Sequence, residues 1–469
     1  MIASRLLSIS LLLLVAASPA IAQWSLDDAF MPEWVSLKLK HRTRYELLDD
    51  PFRPANAGKI RTDVIAQRTL LHARVRLPAG FRVGAELEDS RTFLNSDTVL
   101  NSTSVNPLEL LQGYVEYARD DLEGGALLAR AGRITMDVGS RRLVARNRFR
   151  NTINGFTGLD VGWKAKSGLH FRAFATLPVQ REPNPQSPSS KRGRYRDNDV
   201  VFDSEGFDVV FWGVYVAKDL ESSLTQSGLL GPIRAELYVF GLHESDGARR
   251  PTRNRQLGTP GFRVFTKPAK GKLDANVEAA IQFGQSRSSL SSTGELDHFA
   301  WFAHGAIAYT FDAPASPRLA FQIDYASGDG DPDDGSNNRF DTLYGARRFD
   351  FNPTGIYGPF ARSNLITPGL RLQLKPASSV SSFLSARTFW LASKSDAWTT
   401  TGIIDPQGSS GNHLGTQVEM RVRWDVVPQN LRLEAGYAHT FWGEFIDNAP
   451  GSNGQGDSDY FYTQASFSF

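Results

Sequence analysis

The 469-residue sequence contains no cysteine, so no disulfide bond can stabilise its fold. Beyond the first 22 residues it also lacks a long hydrophobic run, although a transmembrane helix needs about 20 apolar residues. Basic and acidic residues nearly cancel, with 52 Lys plus Arg against 50 Asp plus Glu, and this balance does not favour a nucleic-acid partner. The mean hydropathy of −0.31 is typical of a soluble protein, or of a membrane wall in which only alternate residues face lipid.

Residues 1–22 have the features of a signal peptide. Arg5 precedes an apolar run from Leu6 to Ala17, and Ala20-Ile21-Ala22 fits a small-x-small cleavage site. The run is too short to cross a bilayer as a helix, so a membrane anchor is the less favoured alternative. We therefore expect export, with residues 23–469 forming one mature domain.

The dominant pattern in the mature chain is an alternation of apolar and polar residues. One example is the apolar series Val418, Met420, Val422 and Trp424, which alternates with Glu419, Arg421 and Arg423. Such alternation predicts a β-strand with one apolar and one polar face. Eighteen segments of this kind begin near Trp34, Asp63, Gly80, Leu108, Gly124, Asn154, Gly168, Gly206, Gly231, Thr259, Gly271, Leu296, Pro317, Asn364, Ser379, Gly411, Asn430 and Asp457.

The connections between these segments alternate in length. Short turns such as Pro78-Ala79 and Lys166-Ser167 are followed by long polar loops such as Met136–Ile153 and Ser327–Ser363, with residues 219–230 as an exception. Short periplasmic turns and long extracellular loops are typical of outer-membrane barrels. The sequence therefore predicts an all-β fold, a transmembrane antiparallel β-barrel of about 18 strands.

The last segment supports the same fold. Phe461, Thr463, Ala465, Phe467 and Phe469 share one face of a strand that ends the chain. A terminal aromatic residue in an amphipathic strand resembles the assembly signal of outer-membrane barrels. We therefore expect the protein in the outer membrane, in contact with lipid and lipopolysaccharide, and as a monomer.

The polar faces of the predicted strands are expected to line a water-filled lumen, since 16–18 strands enclose a channel. Basic residues exceed acidic ones on these faces, and arginines in a narrow channel attract anions. Each arginine has the alternative role of an ion-pair partner across neighbouring strands. The path residues selected on this basis are Arg74, Arg76, Arg133, Arg371, Arg421, Arg423, Glu86 and Glu116. Arg130 and Arg133 are an odd number of positions apart, so their side chains should lie on opposite faces of a strand. Because Arg133 is assigned to the lumen, we expect Arg130 to face outward near a strand end.

Two stretches carry a family resemblance. One runs from Gln112-Gly-Tyr-Val-Glu-Tyr through Arg130-Ala-Gly-Arg-Ile-Thr-Met-Asp-Val-Gly-Ser-Arg-Arg to Asn147-Arg-Phe-Arg-Asn, and the other begins Asp324-Tyr-Ala-Ser-Gly-Asp-Gly-Asp-Pro-Asp-Asp-Gly. Both resemble the alginate export family of outer-membrane proteins. The resemblance implies an eighteen-stranded barrel that passes an anionic polysaccharide through an arginine-rich constriction. On this sequence it places that constriction on Arg133, Arg141, Arg142, Arg146, Arg148 and Arg150.

The loop that carries most of these arginines has two interpretations. It either folds into the lumen as a constriction, or it stays outside and binds lipopolysaccharide phosphates. A separate acidic stretch, with Asp329, Asp331 and Asp333, resembles a calcium loop but lacks the closing glutamate, since position 340 is Phe340. A turn-rich loop is the favoured reading, and the sequence calls for no cofactor.

Three functions follow from the sequence. The favoured one is passive export of an anionic polysaccharide such as alginate, with a periplasmic export partner as a possible addition. The alternative is a porin for small anions or sugars. A barrel enzyme such as a lipase is disfavoured, because neither His243 nor His439 is accompanied by a nucleophile motif.

Overall fold

The computed structural model describes residues 25, 31–94, 99–184, 194–220, 230–246, 251–452, 454 and 456–469. The signal peptide predicted for residues 1–22 lies outside them. None of the helices in the described part of the chain is long and apolar enough to cross a bilayer.

The described residues form one closed antiparallel sheet. Each long strand pairs with its neighbours in sequence, and the last strand pairs with the first, with Phe467 opposite His41. The strands are β1 Val35–Asp49, β2 Arg61–Arg76, β3 Phe81–Phe93, β4 Asn106–Leu122, β5 Gly125–Ile134, β6 Phe156–Ala165, β7 His170–Pro178, β8 Val209–Leu220, β9 Ile233–Glu244, β10 Gln256–Thr266, β11 Lys272–Ser286, β12 Leu296–Thr310, β13 Arg318–Ala326, β14 Ser336–Asn337, β15 Leu365–Ala377, β16 Val380–Trp390, β17 His413–Val427, β18 Leu431–Trp442 and β19 Ser458–Ser468.

Strand β14 has only two residues and pairs parallel with β12 inside a loop, so eighteen strands form the barrel wall. The predicted number is confirmed, and every predicted start lies within three residues of an observed one. The remaining elements are the helix α1 Glu444–Asn448 and the 3-10 turns Pro54–Asn56 and Pro78–Gly80.

The turns at one end of the barrel are tight. Between β2 and β3, Ala79 and Gly80 have φ angles of 58° and 85°, which reverse the chain within a few residues. A Cβ atom on Gly80 would lie 2.7 Å from the carbonyl oxygen of Ala118, so glycine fits there without displacing the next hairpin. This end corresponds to the predicted periplasmic side.

The apolar side chains divide between two surfaces. On the outer wall, alternate strand residues such as Leu159, Leu237 and Ile307 are exposed, as expected for a lipid-facing belt. On the inner side, two long loops fold into the lumen. We call residues 135–155, between β5 and β6, the first inner loop, and residues 327–364, between β13 and β15, the second inner loop.

Both inner loops bring apolar residues into the lumen and pack them against the wall. In the first, Met136, Val138 and Val144 belong to a buried cluster with Phe156 and Phe211. In the second, a separate buried cluster joins loop and wall residues, among them Phe351, Ile356, Tyr357, Phe360, Phe389, Leu391 and Tyr460. The hydrophobic core of the molecule therefore lies within the barrel, between the loops and the inner wall.

Candidate functional site: two cationic cavities separated by the inner loops

Arginines of the barrel wall hold the first inner loop by its backbone. Arg42 on β1 donates to the carbonyl oxygens of Arg148 and Phe149 at 3.0 and 3.1 Å, and to that of Arg150 at 3.0 Å. Arg68 on β2 donates to the oxygens of Arg150 and Arg148 at 3.0 and 3.2 Å. These bonds fix the loop segment 148–150 across the lumen in front of β1 and β2.

The same loop reaches the opposite side of the barrel. Arg142 Nη1 lies 2.6 Å from Glu278 Oε2 on β11, and its Nε lies 2.9 Å from Asp350 Oδ2 of the second inner loop. Arg362 also ion-pairs Asp350, at 2.5 Å. All four side chains are almost fully buried, so the network links two loops and one wall strand where water cannot screen the charges.

The second inner loop is anchored in a corresponding way. Arg371 and Arg387 donate to the carbonyl oxygens of Phe349 and Asp350, at 2.7 and 2.9 Å. Arg348 ion-pairs Glu419 of β17 at 2.7 Å. The two loops also pair directly through backbone bonds, with the amide of Tyr344 3.0 Å from the oxygen of Leu143. The loops therefore form one connected wall inside the barrel.

A first cavity of about 490 Å³ lies on the short-turn side of this wall. Gln429 and Asn430, from the turn between β17 and β18, contribute to its lining, so it opens toward the predicted periplasmic side. Of the described residues in its lining, Asp137, Asp425 and Glu434 are acidic. The basic residues of its lining are Lys40, Arg42, Arg68, Arg141, Arg148, Arg348, Arg421, Arg423 and Arg432.

A second cavity of about 610 Å³ lies on the long-loop side. Among the described residues Asp341 is the one carboxylate of its lining, and it is already bound by Arg255 and Arg253 at 2.6 and 3.2 Å. The two cavities have no lining residue in common. The basic residues of the second lining are Arg53, Arg150, Arg253, Arg255, Arg339 and Arg347.

Residues one or two positions apart in the inner loops line opposite cavities. Arg148 and Arg348 face the first cavity, whereas Arg150 and Arg347 face the second. The segments 147–150 and 346–349 are therefore the partition between the cavities. A solute that crosses the barrel meets cationic side chains on both sides of it.

The arginines of the second cavity repel one another. Burial and the neighbouring Arg347 hold the pKa of Arg150 well below its ordinary value, and burial lowers the pKa of Arg347 to about 10. For Arg53, burial and Arg347 together lower the pKa to about 9. Neither Arg150 nor Arg347 forms an ion pair with a described carboxylate. An anion in this cavity would supply the missing opposite charge.

The predicted path residues occupy several different environments. Arg141, Arg148, Arg421 and Arg423 line the first cavity and Arg150 lines the second, while Arg142 and Arg371 hold the inner loops. Arg146 ion-pairs Glu86 at 2.8 Å, and Glu116 ion-pairs Arg82 at 3.0 Å. Arg74 and Arg76 lie at the periplasmic end of β2, away from both cavities.

Two neighbouring arginines of β5 differ from expectation. Arg130 ion-pairs Asp160 at 2.6 Å, and the other partner of Asp160, Arg172, donates to the Asp137 carbonyl of the first inner loop. Arg130 therefore faces the lumen, and the prediction that it faces outward is wrong. Arg133 lies at the extracellular end of β5, ion-pairs Glu109 and Glu205, and lines neither cavity.

Sequence reasoning missed several cavity residues. The second family-like stretch continues as Asn338-Arg-Phe-Asp-Thr-Leu-Tyr-Gly345, and Arg347 and Arg348 follow shortly after it, so this proximity was the available signal. The alternation of apolar and polar residues could not identify Arg347 and Arg348, because they lie in a loop rather than on a strand. The same applies to Arg53, Arg253, Arg255 and Arg339, which come from three different loops.

Carboxylates of the acidic stretch and of Asp396 accept backbone amides. Asp331 Oδ1 accepts the backbone amide of Asp333 at 3.1 Å, and the amide of Asp329 donates to Asp396, so these groups stabilise turns. Among the residues that the structure describes, no three His, Asp or Glu side chains converge to hold a metal ion.

Comparison with known proteins gives the family of this fold. Solved structures of outer-membrane barrels from Pseudomonas aeruginosa match nearly the whole chain. OpdO covers 93% of this chain and 97% of its own at 15% identity and a TM-score of 0.55, and OccK9 (OpdG) covers 93% and 98% at 13% identity and 0.59. OpdK with vanillate covers 92% and 98% at 11% identity and 0.57.

At these identities the structural matches establish the fold alone, a closed barrel of the outer membrane. A search among curated protein sequences found no match. The alginate export family, in contrast, matches residues 33–457, from just before β1 almost to the beginning of β19. The chain therefore belongs to the alginate export family of outer-membrane β-barrels.

Proposed function

We propose that the protein is a passive channel for small carboxylated solutes, such as sugar acids and short acidic oligosaccharides. The observation that carries this proposal is the pair of cationic cavities on either side of the loop partition. Cationic residues exceed acidic ones nine to three in the first cavity lining and six to one in the second. A carboxylate that enters exchanges water for guanidinium groups at both stages of its passage.

The arrangement of free and occupied arginines supports an anion path. In the first cavity Arg148, Arg423 and Arg432 are neutralised by Asp137, Glu434 and Asp425. Lys40, Arg141 and Arg421 form no ion pair with a described acidic residue. Cations are therefore repelled by the uncompensated charges, while an anion finds several alternative partners and is not trapped by one of them.

The partition argues for a short solute rather than an intact polymer. The first inner loop is tied to β1, β2 and β11, and the second to β15, β16 and β17, so neither is free to swing away as a flexible flap. The cavity volumes of about 490 and 610 Å³ each accommodate a few sugar units.

Export of an anionic polysaccharide is the second candidate, because the family that the chain belongs to is described by alginate export. This function requires the inner loops to leave the lumen, or a periplasmic partner that moves them. The two functions differ in the length of acidic chain that crosses the barrel.

The test is permeation of a size series through purified protein in liposomes. Glucuronate and oligomannuronates of increasing length are compared by liposome swelling, with neutral sugars of matched size. We expect rapid entry of the monomer, a steep fall within a few sugar units, and slower entry of neutral sugars. Entry of long polymannuronate at a comparable rate supports the polymer exporter, and faster entry of neutral sugars contradicts the anion channel.

The double variant Arg150→Gln with Arg347→Gln should remove the preference for acidic over neutral sugars. Arg61→Gln is the matched control, because Arg61 ion-pairs Asp49 in an exposed position and lines neither cavity. An equal loss of preference in the control would show that the effect is not specific to the cavities.

A further inference from the structure

A smaller cavity of about 260 Å³ adjoins the second cavity on the long-loop side. We call it the side cavity. Its lining comes from Ser102, from the end of the first inner loop, from residues 179–184 between β7 and β8, and from residues 342–345 of the second inner loop. Ser102, Arg150 and Thr342 line both cavities. The side cavity and the second cavity therefore meet at these three residues, and Arg150 lies at their boundary.

The described lining of the side cavity has two cationic residues, Arg150 and Arg181, and no acidic one. Arg181 is held in place by two bonds, because its Nε donates to the carbonyl oxygen of Ser102 and its Nη1 to Asn154 Oδ1, each at 2.7 Å. Its Nη2 donates to no described residue, and none of the ion pairs among the described residues includes Arg181. The side cavity therefore presents a fixed guanidinium with unused donors.

Three acidic residues lie near Arg181 but outside the lining of the side cavity. Asp203 and Glu88 attract its charge without forming an ion pair, and Glu182 accepts a hydrogen bond from the side chain of the glutamine that precedes Arg181. Burial and the neighbouring Glu109 raise the pKa of Asp203 to about 8, so this carboxyl is mostly protonated at neutral pH. The positive charge of Arg181 is therefore only partly compensated by the protein.

Arg150 lies between two other arginines. Its carbonyl oxygen accepts from Arg42 and Arg68, each at 3.0 Å, whereas its guanidinium has no hydrogen bond or ion pair with a described residue. Burial, Arg347 of the second cavity and Arg181 of the side cavity together hold the pKa of Arg150 well below its ordinary value. A guanidinium has five N–H donors and can bind a carboxylate along each of two edges. Arg150 can therefore serve one anionic group in each cavity.

We propose that the second cavity and the side cavity together bind a dicarboxylate, with one carboxylate between Arg347 and Arg150 and the other between Arg150 and Arg181. Aldaric acids and short diuronates have this chemistry. The inference rests on the proposed function, because the solute enters by the same path, and it adds a preference for two anionic groups over one. The Nε of Arg347 is buried without a hydrogen-bond partner, so the first position also has an unused donor. Once one carboxylate is bound, the second binds as an intramolecular event, which lengthens the stay of the solute.

Block of the chloride current through the wild-type channel in a planar bilayer tests this preference. Glucarate and gluconate are added at equal ionic strength; they share a six-carbon hydroxylated chain and differ in the second carboxylate. We expect glucarate to halve the current at about one tenth of the concentration that gluconate requires. Equal half-blocking concentrations overturn the inference and leave the anion channel standing. Failure of the proposed function would instead appear as a current carried by sodium, and it would remove the inference as well.

Arg181→Gln tests whether the second carboxylate lies in the side cavity. The half-blocking concentration of glucarate should rise several-fold, while that of gluconate should stay within about twofold of the wild type, because a single carboxylate keeps Arg150 and Arg347. Arg194→Gln is the matched control, since Arg194 belongs to the same connection, pairs with Asp197 at 3.7 Å in an exposed position and lines none of the three cavities. Equal changes for both acids, or the same change in the control, overturn the inference.

A second pair of variants leaves Arg181 and its two structural bonds in place. Val179 lines the side cavity, so Val179→Asp adds a carboxylate there and Val179→Asn adds a neutral group of the same size. Folding of every variant is checked by its heat-dependent migration on gels. Val179→Asp should abolish the advantage of glucarate over gluconate, and Val179→Asn should keep it. An advantage that Val179→Asp retains in full contradicts a carboxylate position in the side cavity.

Discussion

The buried network around Arg142 gives the sharpest prediction. Replacing Arg142 by methionine keeps the length of the side chain but removes the charge that pairs with Glu278 at 2.6 Å and with Asp350 at 2.9 Å. Arg362 still pairs with Asp350. Among the described residues, Glu278 keeps one cationic partner, Arg263 at 3.9 Å, together with the hydroxyl groups of Ser140 and Tyr238. Removing one partner of a buried pair costs about 3–5 kcal/mol, and the remaining arginines place this case near the lower end, about 3 kcal/mol.

Two consequences follow from the loss of this charge. The first inner loop loses its ion pair with β11 and keeps only the Ser140 hydroxyl bond to Glu278 among the described contacts between them, so the partition loosens. Single-channel conductance in a planar bilayer should therefore rise, with more frequent current steps. The midpoint of urea unfolding in lipid vesicles should also fall. Arg61→Met is the matched control, because Arg61 lines neither cavity and its pair with Asp49 is exposed, where ion pairs contribute about 0–1 kcal/mol. Unchanged conductance and an unchanged midpoint in Arg142→Met would refute the role of the network.

Other substitutions test the charges and the titration of the loops. The double change Arg150→Gln with Arg347→Gln should lower the ratio of anion to cation permeability several-fold, as measured by reversal potentials in a salt gradient. Burial opposes ionisation of Asp341, yet Arg255 and the adjacent Arg253 hold its pKa at about 2; Asp341→Asn should therefore release cationic charge and raise the same ratio at neutral pH. Burial and a neighbouring carboxylate raise the pKa of Asp203 to about 8, above the unfolded value of about 3.9. Because the folded form binds this proton more tightly, the stabilisation falls as pH rises from about 4 through 8. The unfolding temperature of the wild type should thus decline between pH 6 and 9, and Asp203→Asn should flatten that decline; equal slopes would contradict the assignment.

The barrel itself was predictable from the sequence because its signals are local. Alternating residues show which positions face lipid, and tight turns such as 77–80 mark the strand ends. Strand number and strand starts followed from these two signals. Membrane strands pair with their neighbours in sequence, so the order of the sheet required no long-range information.

The interior of the barrel was less predictable because it depends on contacts between distant segments. The sequence left open whether the basic loop enters the lumen, and its bonds to wall residues such as Arg42, Arg68 and Glu278 place it there. The alternation of residues along its strand assigned Arg371 to the solute path, but its guanidinium donates a hydrogen bond to the carbonyl oxygen of Phe349. The pairing of Arg142 with Asp350 joins residues 208 positions apart, and no local pattern records such a pair.

The central claim, an anion-conducting path through both cavities, is tested most directly by the reversal potential of the wild-type channel. The protein is placed in a planar bilayer between unequal concentrations of sodium glucuronate. Because the cavity linings are cationic, glucuronate should cross the channel more readily than sodium. The sign of the reversal potential should therefore be that of an anion-selective channel. A potential set by sodium, or no current carried by glucuronate, would contradict the account.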